Sequence, residues 1–351
     1  MTISIDNLLV KKNIFNTKGN DDILNRKIIK GNTTNLFNLN FIKYTWAKTL
    51  YRVMLSNFWI PEKVDLSKDS LDFKRLSKDE VLAFERIISF LTFLDSIQTT
   101  NIPRISDYIT APEISVLLAI QDFQEVIHSQ SYAYILESVI PADRRNQVYE
   151  LWRDDKILLE RNKYIAEIYQ DFSNNPTLKN FSKVIIANYI LESLYFYNGF
   201  MFFYNLANKN LMLGTSDEIR YINRDEATHV ELFKNIIREL NLENDNLIKE
   251  KDVHELFSIA VEQEIQWTNH AIGNNILGMD KKNTEKYTKY LANKRIKDLG
   301  FKELYSNFNE NPYSHLEKLA DNKGEDIKSN FFEATVTNYS QSIAIEGWDE
   351  I

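Results

Sequence analysis

Apolar residues recur along this chain at the spacing of a helical stripe. Between residues 77 and 98, Val81, Phe84, Ile87, Ile88, Leu91, Leu94 and Asp95 fall on one face of a 3.6-residue repeat. The segment opens on Ser77 with Glu80 three residues later, a capping-box pattern that marks a helix start. Pro112 suits the first turn of a helix over 113–139, which Pro141 ends. Further helices are predicted over 143–171, 176–208, 216–240, 252–270 and 283–298, and an apolar-periodic run covers 36–59 before Pro61. The first thirty-odd residues and the last twenty or so are less regular.

Glycine and proline number only nine and six, and Gly199 is the one glycine between Gly31 and Gly214. A β-rich fold of this size needs many more turn residues, so the pattern predicts an all-α bundle of long helices. The 351 residues suffice for a large core, and the composition is that of a soluble globular protein. A formal charge of −8 with scattered basic residues argues against a nucleic-acid surface. There is no cysteine, which excludes disulfides, zinc–thiolate sites, iron–sulfur ligation and thiol nucleophiles within the chain. The start, MTISIDNLLVKKN, lacks signal-peptide layout, and no run of eighteen apolar residues would span a membrane; a cytoplasmic location is expected.

The chemistry is carried by two Glu-x-x-His pairs. Glu125, His128 and Tyr132 stand at i, i+3 and i+7 in QEVIHSQSY, and Glu226 and His229 repeat the first spacing in RDEATH. That spacing projects the side chains from one helical face, where a Glu and a His one turn apart can each give an atom to a metal ion. A single pair in a chain with five histidines would most simply be surface decoration; two pairs within apolar helices are harder to dismiss. Asp95 sits on the inward stripe of FLDSIQ, and Glu192 in the most apolar helix of the chain. A buried carboxylate needs a cation or hydrogen-bond donors, and these two complete a set of four carboxylates and two imidazoles. Such a set suits iron or manganese in a helical bundle. Ferritins, oxygen-activating monooxygenases, desaturases and radical generators all remain open at this point.

The motifs NFWIPEKVDLS, FLDSIQ, QEVIHSQSY, LESLYFYNGF, RDEATH and NFFEATVTNYS, in this order from Asn57 to near the C-terminus, resemble the small, radical-generating subunit of class I ribonucleotide reductase. The resemblance implies a ferritin-like fold with one metal held by Asp95, Glu125 and His128. The other is held by Glu192, Glu226 and His229, with carboxylates bridging. It implies that Tyr132 stores a radical in an apolar pocket of Phe196, Phe200 and Ile222. It also implies that Trp59 and Asp225 relay electrons, and that Tyr339 passes the oxidising equivalent to a large subunit. By pattern alone, Tyr132 and the phenylalanines would be ordinary core residues.

The expectation is therefore a homodimeric protein with two iron ions, manganese being possible, that uses oxygen to oxidise Tyr132 and needs an electron donor during assembly of the metal site. Residues 1–33 form an N-terminal extension, 34–325 the ferritin-like di-metal domain, and 326–351 a flexible tail that docks on the large subunit. A tyrosine at 132 disfavours variants with phenylalanine there, and LYFYNGFMFFY looks more like the iron-using branch than the manganese branch. Without cysteines, the chain should export a radical rather than reduce a nucleotide itself. The rival readings are a ferritin-like iron-handling protein and a stand-alone di-metal oxidase or hydroxylase.

Overall fold

The computed structural model describes residues 8–322, so the expectations for residues 326–351, Tyr339 among them, lie outside the described residues. The helices are α1 (Thr45–Ser56), α2 (Asp69–Phe73), α3 (Lys78–Ser106), α4 (Pro112–Val139), α5 (Ala142–Asp154), α6 (Lys156–Asn174) and α7 (Leu178–Ile190). They continue with α8 (Tyr197–Asn208), α9 (Leu213–Glu243), α10 (Glu250–Ala271), α11 (Lys281–Asp298) and α12 (Ser314–Asn322). A π-helical turn, Leu191–Tyr195, joins α7 to α8. Among the described residues no β-strand forms; Leu8 with Thr177, Ile29 with Ile109 and Ile276 with Met279 make isolated bridges. The all-α expectation holds.

Local chemistry sets the boundaries. The Ser77 hydroxyl accepts from the Glu80 amide and the Glu80 carboxylate accepts from the Ser77 amide, closing the capping box of α3. Such a cap is worth about 1 kcal/mol. Pro103 does not stop α3, which runs on to Ser106 and past the expected end near 98. The helix expected over 143–171 is broken at Asp155, which ends α5 and caps α6 by accepting from the amides of Ile157 and Leu158. Helix α9 starts earlier than expected because Asp69 of α2 caps it, accepting from the amides of Gly214 and Thr215 and the Thr215 hydroxyl. Of the apolar run 36–59, only Thr45–Ser56 is helical, and α2 and α12 had no counterpart in the predicted elements.

The long helices α3 and α4 pack against each other over much of their length, and α9 crosses both α4 and the π-turn. Their facing stripes are fully buried: Phe84, Ile87, Ile88 and Leu91 on α3, Leu117, Leu118 and Ile135 on α4, Ile222, Phe233 and Ile236 on α9. The described part of the N-terminal segment lies on the bundle. Arg26 forms a buried ion pair with Glu113 at 3.0 Å, and Ile28 and Ile29 enter the core.

Candidate metal centre

Four elements aim acidic and imidazole side chains at one point of the core. Helix α3 contributes Asp95, α4 Glu125 and His128, the π-turn Glu192, and α9 Glu226 and His229; all six are wholly buried. Nδ1 of His128 lies 3.8 Å from Asp95, 3.5 Å from Glu125 and 3.2 Å from Glu226. Nδ1 of His229 lies 3.3 Å from each of Glu125, Glu192 and Glu226. Two donor groups result, Asp95–Glu125–His128–Glu226 and Glu125–Glu192–Glu226–His229, each with its ligand atoms within 4.8 Å of one another. Glu125 and Glu226 belong to both, so these two carboxylates are placed to bridge, while Asp95 and Glu192 serve one group each.

The donors fit metal ions on two further grounds. Both oxygens of Asp95, Oε2 of Glu125, Oε1 of Glu226 and Nδ1 of His128 have no hydrogen-bond partner despite full burial. Desolvated oxygens left this way cost several kcal/mol unless a cation takes them. Both imidazoles, moreover, turn Nδ1 to the carboxylates and are held from behind through Nε2. His128 Nε2 lies 3.4 Å from Asp225, and His229 Nε2 lies 3.0 Å from Oε1 of Gln124. An acceptor behind Nε2 keeps its proton there and frees the Nδ1 lone pair for a metal.

Gln124 was not anticipated, although a signal existed. Gln124 precedes Glu125 and backs the histidine of α9, just as Asp225 precedes Glu226 and backs the histidine of α4. A second group missed by sequence reading surrounds Glu192. Its Oε1 accepts from Gln98, from Gln121 at 2.7 Å and from Asn188 at 3.5 Å, and Tyr169 donates to Gln98 at 2.8 Å. Gln98 and Gln121 stand one turn from Asp95 and Glu125 on their own helices, and Asn188 stands four residues before Glu192, which a search for near neighbours of the ligands would have found.

Crowded and dry, these groups shift one another. Burial pushes the Asp95 carboxyl well above the usual range, and the neighbouring Glu125 adds to it. Burial and the charges of Glu192 and Glu125 do the same to Glu226. For His128, burial works against the charged ring, but the carboxylates of Asp225, Glu125 and Glu226 facing it outweigh burial and raise its pKa well above normal. Burial also opposes the Glu192 charge, yet its bonds to Glu226, His229 and Gln98 hold it below the usual range.

Tyr132 is wholly buried, one turn beyond His128, and faces the Asp95 carboxylate, although its hydroxyl forms no closed hydrogen bond. Burial first and the Asp95 charge second drive its pKa well above 10, so the phenol stays protonated. Phe196, Phe200 and Ile222 are wholly buried, with Phe196 stacked on Phe200 at 5.8 Å. Trp59 is nearly buried and donates from Nε1 to Oδ2 of Asp225 at 2.9 Å, the same oxygen that faces His128. Trp59, Asp225 and His128 thus form one hydrogen-bonded line, with Tyr221 stacked on the outer ring at 5.0 Å.

Comparison with known proteins agrees with this geometry. Residues 36–312 match the family model "Ribonucleotide reductase, small chain". The chain is 43% identical to the ribonucleoside-diphosphate reductase subunit beta of Treponema pallidum, covering 96% of this chain and 97% of that one. Identity to the same subunit of Halalkalibacterium halodurans is 38%, over 98% and 99%. The ribonucleotide reductase R2 subunit from Clostridium botulinum superposes with a TM-score of 0.87 at 48% identity, covering 89% of this chain and 99% of that one. With a bundle, a di-metal donor set and relatives along its whole length in agreement, the chain belongs to the ribonucleotide reductase small-chain family.

Proposed function

We propose that this small subunit of ribonucleoside-diphosphate reductase holds two iron ions between Asp95, Glu125, His128, Glu192, Glu226 and His229 and stores an oxidising equivalent on Tyr132. When bound, the metal pair supplies the reduction of dioxygen that withdraws one electron from a nearby phenol. The phenol of Tyr132 is protonated, so its oxidation gives up a proton along with the electron, and the Asp95 carboxylate facing it is the acceptor within reach. The buried Phe196, Phe200 and Ile222 exclude water and reductants from the neutral radical.

The observation that carries this reading is the unbroken line from Trp59 through Asp225 to His128. A metal site that only stores iron, or oxidises a small molecule bound beside it, has no use for an indole wired to a ligand histidine from the protein surface. The relay supports electron entry during assembly of the centre, from a donor protein, and exit of the oxidising equivalent toward the large subunit through Tyr339 in the 326–351 tail. Reduction of the nucleotide itself takes place in that partner. Residues 34–325 form the di-metal domain and 1–33 an N-terminal extension, whose described part, residues 8–33, lies against the bundle. The exposed Leu55, Phe58 and Phe123, with the last two stacked at 6.3 Å beside Trp59, support assembly into a homodimer. Among the described residues no helix is long and apolar enough to cross a membrane, which accords with a cytoplasmic enzyme.

Anaerobic loading with ferrous iron followed by air should produce a sharp phenoxyl EPR signal that Tyr132→Phe abolishes. A protein with both metal positions filled and no such signal would refute the tyrosyl mechanism. If manganese rather than iron copurifies from the native host and alone supports the radical, the choice of metal is wrong while the site stands.

A further inference from the structure

Glu192 differs from the other five donors in its backbone. It sits in the π-turn Leu191–Tyr195, whereas Asp95, Glu125, His128, Glu226 and His229 stand in regular α-helix. A π-turn is rare because its wider winding weakens the backbone ladder, and its carbonyls then need other donors. Two arginines supply them, Arg161 buried and Arg295 half-buried. Arg161 of α6 donates from Nη2 to the Tyr195 carbonyl at 3.2 Å, and Arg295 of α11 donates from Nε to the Ser193 carbonyl at 3.2 Å. The donors come from 34 and 102 residues away. By contrast, the carbonyls of Asp95 and Asp225 receive the hydroxyls of Thr99 and Thr228 on their own helices.

Each arginine is fixed in turn. Arg161 pairs through the same Nη2 with Glu264 of α10, and its guanidinium lies 3.6 Å from the Phe90 ring centre and 4.1 Å from that of Tyr195. The other oxygen of Glu264 accepts from Asn198 at 2.9 Å, and Asn198 also donates to Thr288 at 2.8 Å. On the near side, Tyr189 of α7 donates to the Arg295 carbonyl at 3.1 Å. The turn is thereby held before it at Tyr189, within it at Ser193 and Tyr195, and after it at Asn198. A buried ion pair such as Arg161–Glu264 is a poor source of stability, since well-packed apolar residues often do as well. Its donor on the Tyr195 carbonyl is something apolar residues cannot replace.

We infer that Arg161 and Arg295 are positioning residues that hold the π-turn in register and so set where the Glu192 carboxylate meets the metal. This rests on the reading of Glu192 as a ligand. Because Glu192 belongs to only one of the two donor groups, the braces should affect one metal position and spare the other.

The test uses the full chain in two states. Metal-free protein is followed by hydrogen exchange over residues 191–196, and anaerobic Mn(II) titration by EPR counts the two equivalents separately. The variants are Arg295→Met, Arg295→Lys, and the charge-free pair Arg161→Met with Glu264→Met, which leaves no buried orphan charge. Arg144→Met, which breaks the distant pair with Glu85, controls for the loss of any ion pair.

In Arg295→Met and the double variant, exchange in the turn should speed up about tenfold. One Mn(II) equivalent should weaken about tenfold, the range seen when a group behind a ligand is lost. Arg295→Lys should restore part of both effects, and Arg144→Met should show neither. Unchanged exchange and affinities, or equal weakening of both equivalents, would overturn the inference. Glu192→Ala separates the two levels: if it removes no equivalent, the ligand reading has failed, and if it removes one while the arginine variants change nothing, only the bracing has failed.

Discussion

Removal of the metals should cost this fold a measurable share of its stability. Each donor group exists only when three elements of the fold are brought together, so the ions bind the native state and not the unfolded chain. At a hundredfold excess over its dissociation constant, one ion adds about 2.7 kcal/mol and two add about 5 kcal/mol. A chain of 351 residues unfolds with an entropy near 0.7 kcal/mol/K, taking about 2.1 cal/mol/K per residue. The melting temperature should therefore rise by about 7 °C when Fe(II) or Mn(II) is added without oxygen to chelator-treated protein, read by scanning calorimetry. Mg(II) should do far less, because two imidazoles favour a transition metal. The geometry divides the effect further. Glu226 serves both donor groups, so Glu226→Gln should abolish most of the shift, whereas Asp95 serves one, so Asp95→Asn should keep about half. A shift below one degree at saturating metal, or equal shifts in Glu226→Gln and the parent protein, would refute the assignment of these residues as ligands.

Tyr132→Phe should leave metal uptake intact and change stability by less than about 1 kcal/mol, since the lost hydroxyl makes no hydrogen bond; a large drop in melting temperature would contradict the observed contacts. Glu218 is buried beside Ser131, and burial, opposed by the Ser131 hydroxyl and aided by the charges of Glu62 and Asp217, pushes its carboxyl up to about 8. The folded state then keeps a proton that the unfolded chain loses near pH 4.5, so this group's contribution falls as pH rises from about 4.5 to 8 and is level above that. Metal-free Glu218→Gln should accordingly gain on the order of 3 kcal/mol relative to the parent protein at pH 8 but not at pH 4.5, by thermal melts across pH. Metal uptake should release protons, because Asp95, Glu226, His128 and His229 are all pushed toward their protonated forms when the site is metal-free; calorimetry in two buffers of different ionisation enthalpy would detect it, and no buffer dependence would count against it. Tyr339→Phe should give a normal phenoxyl signal and no turnover with the large subunit, and surviving turnover would remove Tyr339 from the relay.

What the sequence made legible followed from periodicity and local chemistry. The capping box at Ser77 and Glu80, the proline at the head of α4 and the inward stripe carrying Asp95 could each be read from a dozen neighbouring residues, and each is found in place. The two Glu-x-x-His spacings brought Glu125, His128, Glu226 and His229 onto inward faces for the same reason. What could not be read depends on partners distant in sequence. The π-turn at Glu192 lies within an unbroken apolar pattern, and its wider winding is supported by Arg161 and Arg295, which no local window contains. Asp155 breaks a continuous helical pattern by capping a new helix, a competition that composition alone does not decide. The membership of Glu125 and Glu226 in both donor groups likewise emerges only when α4 and α9 are placed face to face.

The charge inventory of the core explains why this cluster, among several buried acidic residues, is the metal site. Glu113 is paired with Arg26, Glu85 with Arg144 and Glu264 with Arg161. Asp69 takes two backbone amides and a hydroxyl, and Asp225 takes the Trp59 indole with Arg224 3.3 Å away. Those carboxylates are already satisfied within the chain. Asp95, Glu125, Glu192 and Glu226 together carry four negative charges when ionised, and the amides around Glu192 supply dipoles but no cation. With both imidazoles neutral and offering Nδ1, two divalent ions balance the four carboxylates, while one would leave the dry interior with an unopposed double charge. Two divalent ions match the charge of this donor set when it is ionised, and the two donor groups sharing Glu125 and Glu226 are where that balance would be met.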